Sequence, residues 1–250
     1  MSLSSNLGVQ SYCFRNFKDN VEVAAKVKEI GLDRIEICRL HAGGDFHNLE
    51  NWKEVVKTYT DAGVKIVSIG VETLVGDPSE RDALEAVAMA GAKHISVHFK
   101  VDSFGKAIAQ ARSFAREYGI KVGIHCHGGY MFGGQPDVME HLINLGTPEV
   151  GLCIDTAWCM QIGPKQGVPL EWIKKYSGKV HGIHFKDFVF EKNAMWSDTV
   201  VGQGNLDLPA FAAQLKADNY DGMAVIEYEA DPENPVPALK NCVEQMRKVL

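Results

Sequence analysis

The chain has 250 residues, 46% of them hydrophobic, and a formal net charge of −6 at pH 7, which suits one sizeable core in a single domain spanning residues 1–250 and leaves no room for a second. Lysine and arginine are scattered rather than gathered into a stripe, so a nucleic-acid backbone is not expected as a partner. No apolar run approaches the ~18 residues of a membrane span, and the start Met1-Ser-Leu-Ser-Ser-Asn6 lacks an apolar signal core, so no membrane contact and a cytoplasmic location are expected.

In chain order, a first strand is expected at Gly8-Val-Gln-Ser-Tyr-Cys13, then a helix from Asp19 to Ile30 that stops at Gly31. The second strand sets Ile35 and Ile37 against Glu36 and Cys38, and a helix from Leu49 to Ala62 stops at Gly63. A third strand alternates Val67, Ile69 and Val71 with Ser68, Gly70 and Glu72, before a helix from Ser79 to Ala90 and Gly91. The fourth sets Ile95, Val97 and Phe99 against Ser96 and His98, and its helix runs from Ser103 to Tyr118, ending at Gly119. Period-two alternation separates the two faces of each strand. Glycine just past a helix supplies the left-handed turn that ends it.

The second half repeats the unit. Its strands are Lys121-Val-Gly-Ile-His-Cys-His127, Glu149-Val-Gly-Leu-Cys-Ile-Asp155, Lys179-Val-His-Gly-Ile-His-Phe-Lys186 and Gly222-Met-Ala-Val-Ile-Glu227. The helices run from Pro136 to Leu145, Pro169 to Tyr176, Leu208 to Asp218 and Val236 to Val249. Eight such units in this length predict an α/β fold, a single-domain (β/α)8 TIM barrel. Asp187 to Leu206 is expected to be a long loop over the mouth after the seventh strand. Gly128-Gly129 and Gly133-Gly134 bracket Tyr130-Met-Phe132 in a flexible mouth loop after the fifth, without a phosphate-binding glycine pattern. Cys13, Cys38, Cys126, Cys153, Cys159 and Cys242 form no CxxC pair and read as reduced thiols.

Each of the last four strands finishes in a side chain able to hold a metal: His125 and His127, Asp155, His184, and Glu227. Parity puts these on the face opposite the apolar one, together with Lys186 and Glu229. In a barrel that face is the interior, and active sites are built where it reaches the C-terminal strand ends. Neighbouring strands stand ~4.8 Å apart, so groups at one height on a curved sheet meet around one ion. One divalent ion held by His125, Asp155, His184 and Glu227 is therefore expected. The mixed nitrogen and oxygen set suits Mn²⁺, Fe²⁺, Co²⁺ or Zn²⁺ better than Mg²⁺.

Motifs along nearly the whole chain strengthen this reading: Gly31-Leu-Asp-Arg-Ile-Glu36, Leu152-Cys-Ile-Asp-Thr156, His181-Gly-Ile-His-Phe-Lys-Asp187, Val201-Gly-Gln-Gly-Asn-Leu-Asp207 and Ala224-Val-Ile-Glu-Tyr-Glu229. With them the chain resembles the xylose-isomerase-like superfamily of TIM barrels, which includes sugar isomerases, ketose 3-epimerases, inosose-processing enzymes and apurinic endonucleases. The resemblance implies Asp155, His184 and Glu227 as ligands, with His125 where the epimerases usually have glutamate. It also implies that two ligand glutamates move the proton in those relatives, so this chain departs at one of the two. Trp158 stands where many relatives have a histidine after Asp-Thr, which leaves a multi-zinc endonuclease site poorly supplied.

The chemistry expected is proton abstraction next to a carbonyl of a monosaccharide, sugar phosphate or cyclic polyol, through an enediolate, by an isomerase or epimerase with His125 and Glu227 exchanging the proton. His127, Lys186, Glu36, His98, Trp158 and Trp196 are expected to contact this carbohydrate. Each has a plainer reading: Lys186 pairing with Glu229 or Asp155, Glu36 pairing with Arg39, and aromatics, with Tyr12 and Phe14, in ordinary packing. His41, His47, His94, His141 and His181 read as loop, helix or outward positions. Alternatives are a lyase, dehydratase or keto-glycoside-cleaving enzyme, and a non-catalytic sugar-binding barrel. A homo-oligomer is compatible with the sequence.

Overall fold

The computed structural model describes residues 6–128, 134–193 and 195–250. Short β-branched runs alternate with amphipathic helices: β1 (Leu7–Gln10), α1 (Asn20–Glu29), β2 (Arg34–Ile37), α2 (Leu49–Asp61), β3 (Lys65–Leu74), α3 (Arg81–Met89), β4 (His94–Phe99), α4 (Phe104–Tyr118) and β5 (Lys121–His125). There follow α5 (Pro136–Gly146), β6 (Val150–Asp155), α6 (Thr156–Gln161), α7 (Pro169–Lys175), β7 (Val180–Phe185), β8 (Asp187–Phe190), β9 (Trp196–Thr199), α8 (Leu208–Ala217), β10 (Met223–Ile226) and α9 (Val236–Val249). Eight parallel strands close into a barrel in the order β1-β10-β7-β6-β5-β4-β3-β2, and β8 and β9 form a separate antiparallel hairpin. The fold is the expected TIM barrel.

Helix starts follow from capping chemistry. Asp19, Asn48 and Asp207 each accept a backbone N–H two or three residues on, which satisfies donors that the first turn leaves orphaned. At the other end of α4, Gly119 takes φ 64°, a left-handed turn open to glycine at little cost. The outward strand faces, with Ile35, Ile37, Ile95, Val97, Ile124, Leu152, Ile154, Ile183, Phe185 and Ile226 fully buried, pack against the helices as one core. Each such side chain contributes about 1.5–3 kcal/mol.

Four local details depart from the expectation. After Gln10 the first strand gives way to a 3-10 turn at Ser11–Phe14, with Phe14 in the ordinary core packing read for it. The loop from Asp187 to Leu206 contains the β8/β9 hairpin, and a short helix, α6, follows β6 directly. In β3 the pairing jumps from Ile35↔Ile66 to Glu36↔Ser68, so Val67 is the extra residue of a bulge. It packs beside Cys153, Met223 and Val225 of the interior face. His94 also turns inward: a Cβ added at Gly123 or Gly182 would stand 2.5 or 2.7 Å from its Nε2. The glycine-flanked loop expected after β5 lies at 129–133 outside the described residues. Within them, no helix is long and apolar enough to cross a membrane, and all six cysteines are free and buried.

Candidate metal centre and aromatic mouth

Asp155 ends β6 and also caps α6. Its Oδ1 accepts the backbone N–H of Trp158 at 2.8 Å, while Oδ2, wholly buried, has no hydrogen-bond partner. One strand over, His125 ends β5 with both ring nitrogens buried and without a hydrogen bond, its Nε2 standing 3.6 Å from Asp155 Oδ2. On the other side β7 pairs Asp155 with His184. His184 Nδ1 lies 2.9 Å from Glu227 Oε2, and its Nε2 lies 2.6 Å from Glu36 Oε2. Glu227 follows β10, its backbone N–H held by the Phe185 carbonyl. One donor atom from each of His125, Asp155, His184 and Glu227 lies within 4.8 Å of the others.

A divalent ion fits this set on two counts. Burying a carboxylate oxygen and two imidazole nitrogens without partners is costly, and a bound cation takes up Asp155 Oδ2 and one of the His125 nitrogens together. The charge balance points the same way. Lys186, fully buried, pairs with Glu229 and feels Glu227, Asp155 and Asp198 as well, so four carboxyl groups stand against Lys186 and the His184 ring and leave room for further positive charge.

Those charges set the protonation states. Burial would raise the Glu36 carboxyl, but the His184 imidazole and the hydroxyl of Ser96 bring it down to about 2. Burial raises Asp155 to about 7 against the pull of Lys186. Glu227 is held below the ordinary carboxylate range: burial opposes this, and Lys186 and His184 outweigh it. Burial, reinforced by His184, pushes His125 well below the usual imidazole value, and burial takes His98 down to about 3. At neutral pH Glu227 is therefore ionised and His125 neutral.

Above the four donors the mouth is aromatic on one side. His127 stacks on Trp158 with ring centroids 4.0 Å apart, and Trp158 meets Phe188 and Trp196 edge-on at 5.1 and 5.7 Å. Lys186 Nζ lies 5.6 Å from the centre of the Trp158 ring. His98, His125 and His127 form a triangle of rings, with His98 at 5.3 and 6.0 Å from the other two and those 6.2 Å apart. The base of the β8/β9 hairpin is pinned by Asp187, whose carboxylate accepts backbone N–H groups from Gly202, Gly204 and Leu206 at 2.9–3.0 Å.

Nine of the ten residues singled out in the sequence thus gather at the mouth. Glu36 lies lower: fully buried, with both oxygens engaged, it sits beneath His184, and Arg39 pairs with Glu72 instead. Sequence reasoning missed Asp198, which burial raises to about 7, because it lies in a segment read only as loop. It also missed Phe188. Ser68 and Ser96, which bind Glu36, already stood on the inward face by parity, so the signal for them was present.

Fold and site together define a (β/α)8 barrel with a buried, acidic, four-donor centre at its mouth. The chain belongs to the xylose isomerase-like TIM barrel family, whose model matches residues 24–249. It is 28% identical to an inosose dehydratase of Lactiplantibacillus plantarum over 54% of this chain and 49% of that protein. The chain spans about half the length of the curated relatives it matches. Among solved structures it is similar to the 3-keto-D-glucoside 4-epimerase YcjR from E. coli, at 20% identity and TM-score 0.72, covering 97% of this chain and 99% of that one. D-psicose 3-epimerase from Clostridium cellulolyticum H10 superposes at TM-score 0.74 with 14% identity, covering 98% and 99%. These superpositions show the shared fold.

Proposed function

We propose that this chain is a divalent-metal-dependent enzyme that removes a proton next to a carbonyl of a sugar or cyclic polyol and returns it as an isomerase or epimerase. The observation that carries the reading is the open valence of the centre: Asp155 Oδ2 and both His125 nitrogens, buried and unpartnered, beside His184 and Glu227. Held by these four residues, the ion would supply Lewis-acid stabilisation of the negative charge that grows on the carbonyl oxygen as the neighbouring C–H ionises.

The side chains divide the remaining work. Glu227, 8% exposed where the other three donors are at most 3%, is the donor nearest the mouth, and as an ionised carboxylate it takes the proton. Neutral His125 is the second proton carrier on the β5 side. Lys186 and His127 hold hydroxyl groups of the substrate, His98 orders the His125 and His127 rings, and Trp158 and Trp196 wall the sugar's apolar face. The substrate is a small carbohydrate.

A second reading shares the first step and then expels a β-substituent as water. The inosose dehydratase relative and the presence of a single glutamate in the proton-moving pair favour it, because elimination needs one base and one acid rather than matched groups on two faces.

The test combines elemental analysis with solvent-deuterium exchange over a panel of ketoses and inososes. The expected result is near-stoichiometric Mn, Fe, Co or Zn that is lost in a folded Glu227→Gln, His184→Ala double variant, with deuterium entering substrate next to the carbonyl. Recovery of an epimer or isomer supports the first reading, and an unsaturated or dehydrated product the second. No metal after reconstitution and no exchange would leave a non-catalytic sugar-binding barrel.

A further inference from the structure

Beneath the four donors the barrel interior is one hydrogen-bonded assembly, and several of its members allow only one donor direction. Gln10 Oε1 accepts the backbone N–H of Tyr12 at 3.1 Å, so its amide nitrogen faces inward. That nitrogen donates to Glu36 Oε2 at 2.8 Å and to the Gly70 carbonyl at 3.2 Å. On the other oxygen, the hydroxyls of Ser68 and Ser96 donate to Glu36 Oε1 at 2.8 and 2.7 Å. With its proton directed there, Ser68 Oγ accepts from His94 Nδ1 at 2.9 Å. The last contact on Glu36 is His184 Nε2 at 2.6 Å.

A carboxylate that already accepts three hydrogen bonds takes the fourth as an acceptor too, so His184 Nε2 carries a proton. Nδ1, 2.9 Å from the Glu227 carboxylate, donates there and is the nitrogen whose proton a cation would replace, because the Nε2 proton stays committed to Glu36. We propose that Glu36 is a positioning residue: it fixes the ring angle and tautomer of His184 so that Nδ1, and not Nε2, faces the ion. Glu36 itself is fully buried, and its two oxygens are taken up by Gln10, Ser68, Ser96 and His184, which leaves none for a substrate. Its own rotation is blocked by the two serines on one oxygen and Gln10 on the other. The inference rests on the metal reading above and adds to it which residue prepares the site.

Histidine ligands held this way by an outer carboxylate lose roughly ten- to hundredfold in metal affinity when that carboxylate is changed. Zn²⁺ titration by calorimetry of the unsubstituted protein, Glu36→Gln and Ser96→Ala, each passing a folding check, should show a loss of that size for the first and a smaller loss for the second. In the Zn²⁺-loaded unsubstituted protein, ¹⁵N NMR of His184 should show a protonated Nε2 and a metal-bound Nδ1, a signature that a merely structural glutamate would not set. Zn²⁺ on Nε2, or Glu36→Gln binding as tightly as the parent, would overturn the inference while leaving the metal reading intact. Where Glu36→Gln does not fold, the NMR result alone decides. Failure of the unsubstituted protein to bind either Zn²⁺ or Mn²⁺ would overturn both.

Discussion

Two fully buried carboxylates stand on opposite walls of the barrel, Glu36 on β2 and Asp155 at the end of β6, and they are used in opposite ways. Glu36 accepts four hydrogen bonds and has nothing left to offer. Asp155 gives one oxygen to the Trp158 N–H and keeps the other open. Burial alone does not separate them. What separates a structural carboxylate from a ligand is whether its lone pairs are spent, and the β5 to β10 wall is the one that leaves donors unspent around a common centre.

The comparison can be broken most directly at Glu227. Glu227→Gln, which keeps the shape and removes the base, should lower solvent-deuterium exchange into substrate by about 10²- to 10⁴-fold with the fold intact by circular dichroism. An undiminished exchange rate would take the proton-moving role away from this wall.

Lower in the interior, at His94 on β4, the expected effect is on stability. Burial holds the His94 imidazole down to about 3, against about 6.5 in the unfolded chain. The unfolded state therefore binds the extra proton first, and the parent loses stability as pH falls through the interval from 6.5 towards 3. Urea titrations at pH 7 and pH 4 should show His94→Gln escaping on the order of 3 kcal/mol of that loss, provided the glutamine packs between Gly123 and Gly182. Equal pH slopes in the two proteins would mean that His94 charges freely in the folded state.

The same contrast separates Asp155→Asn from Glu72→Gln. At a metal concentration a hundredfold above Kd, binding stabilises the parent by about 2.7 kcal/mol. That increment, read as the metal-dependent rise in Tm, should vanish in Asp155→Asn and survive in Glu72→Gln, whose carboxylate is engaged by Arg39. Survival in both would remove Asp155 from the centre. Smallest of all, Trp196→Ala on the half-exposed hairpin should change unfolding free energy by no more than about 0.5 kcal/mol while raising KM for the sugar. An unchanged KM would leave the hairpin aromatic outside the substrate's reach.

Much of this was legible before the structure. Helix ends at Gly31, Gly63, Gly91, Gly119 and Gly178 were marked by a residue type that the backbone needs there, with φ between 64° and 82° at all of them, whereas Gly146 and Gly222, read the same way, take no positive φ. The four donors were legible because parity and strand-end position are both one-dimensional properties. The rest depends on contacts that no period encodes. The bulge at Val67 breaks parity within β3, the hairpin strands, at four residues each, are too short to announce themselves, and α6 has fewer than two turns in which to show a repeat. Glu36 and Asp155 look alike along the chain, and only the spatial neighbours of Glu36 reveal that its lone pairs are spoken for. His94 is different: it shares the parity of Ser96, and its inward direction was available in the sequence.

Asp155 joins two parts of the molecule through one planar group. Its Oδ1 holds the first turn of the helix that carries Trp158, and its Oδ2 is offered to the centre. The two oxygens cannot turn independently, so any rotation of the carboxylate that an arriving cation demands is transmitted, like the movement of a rocker arm, to the indole that shapes the mouth. Filling the centre and setting the width of the mouth are in that sense a single mechanical adjustment.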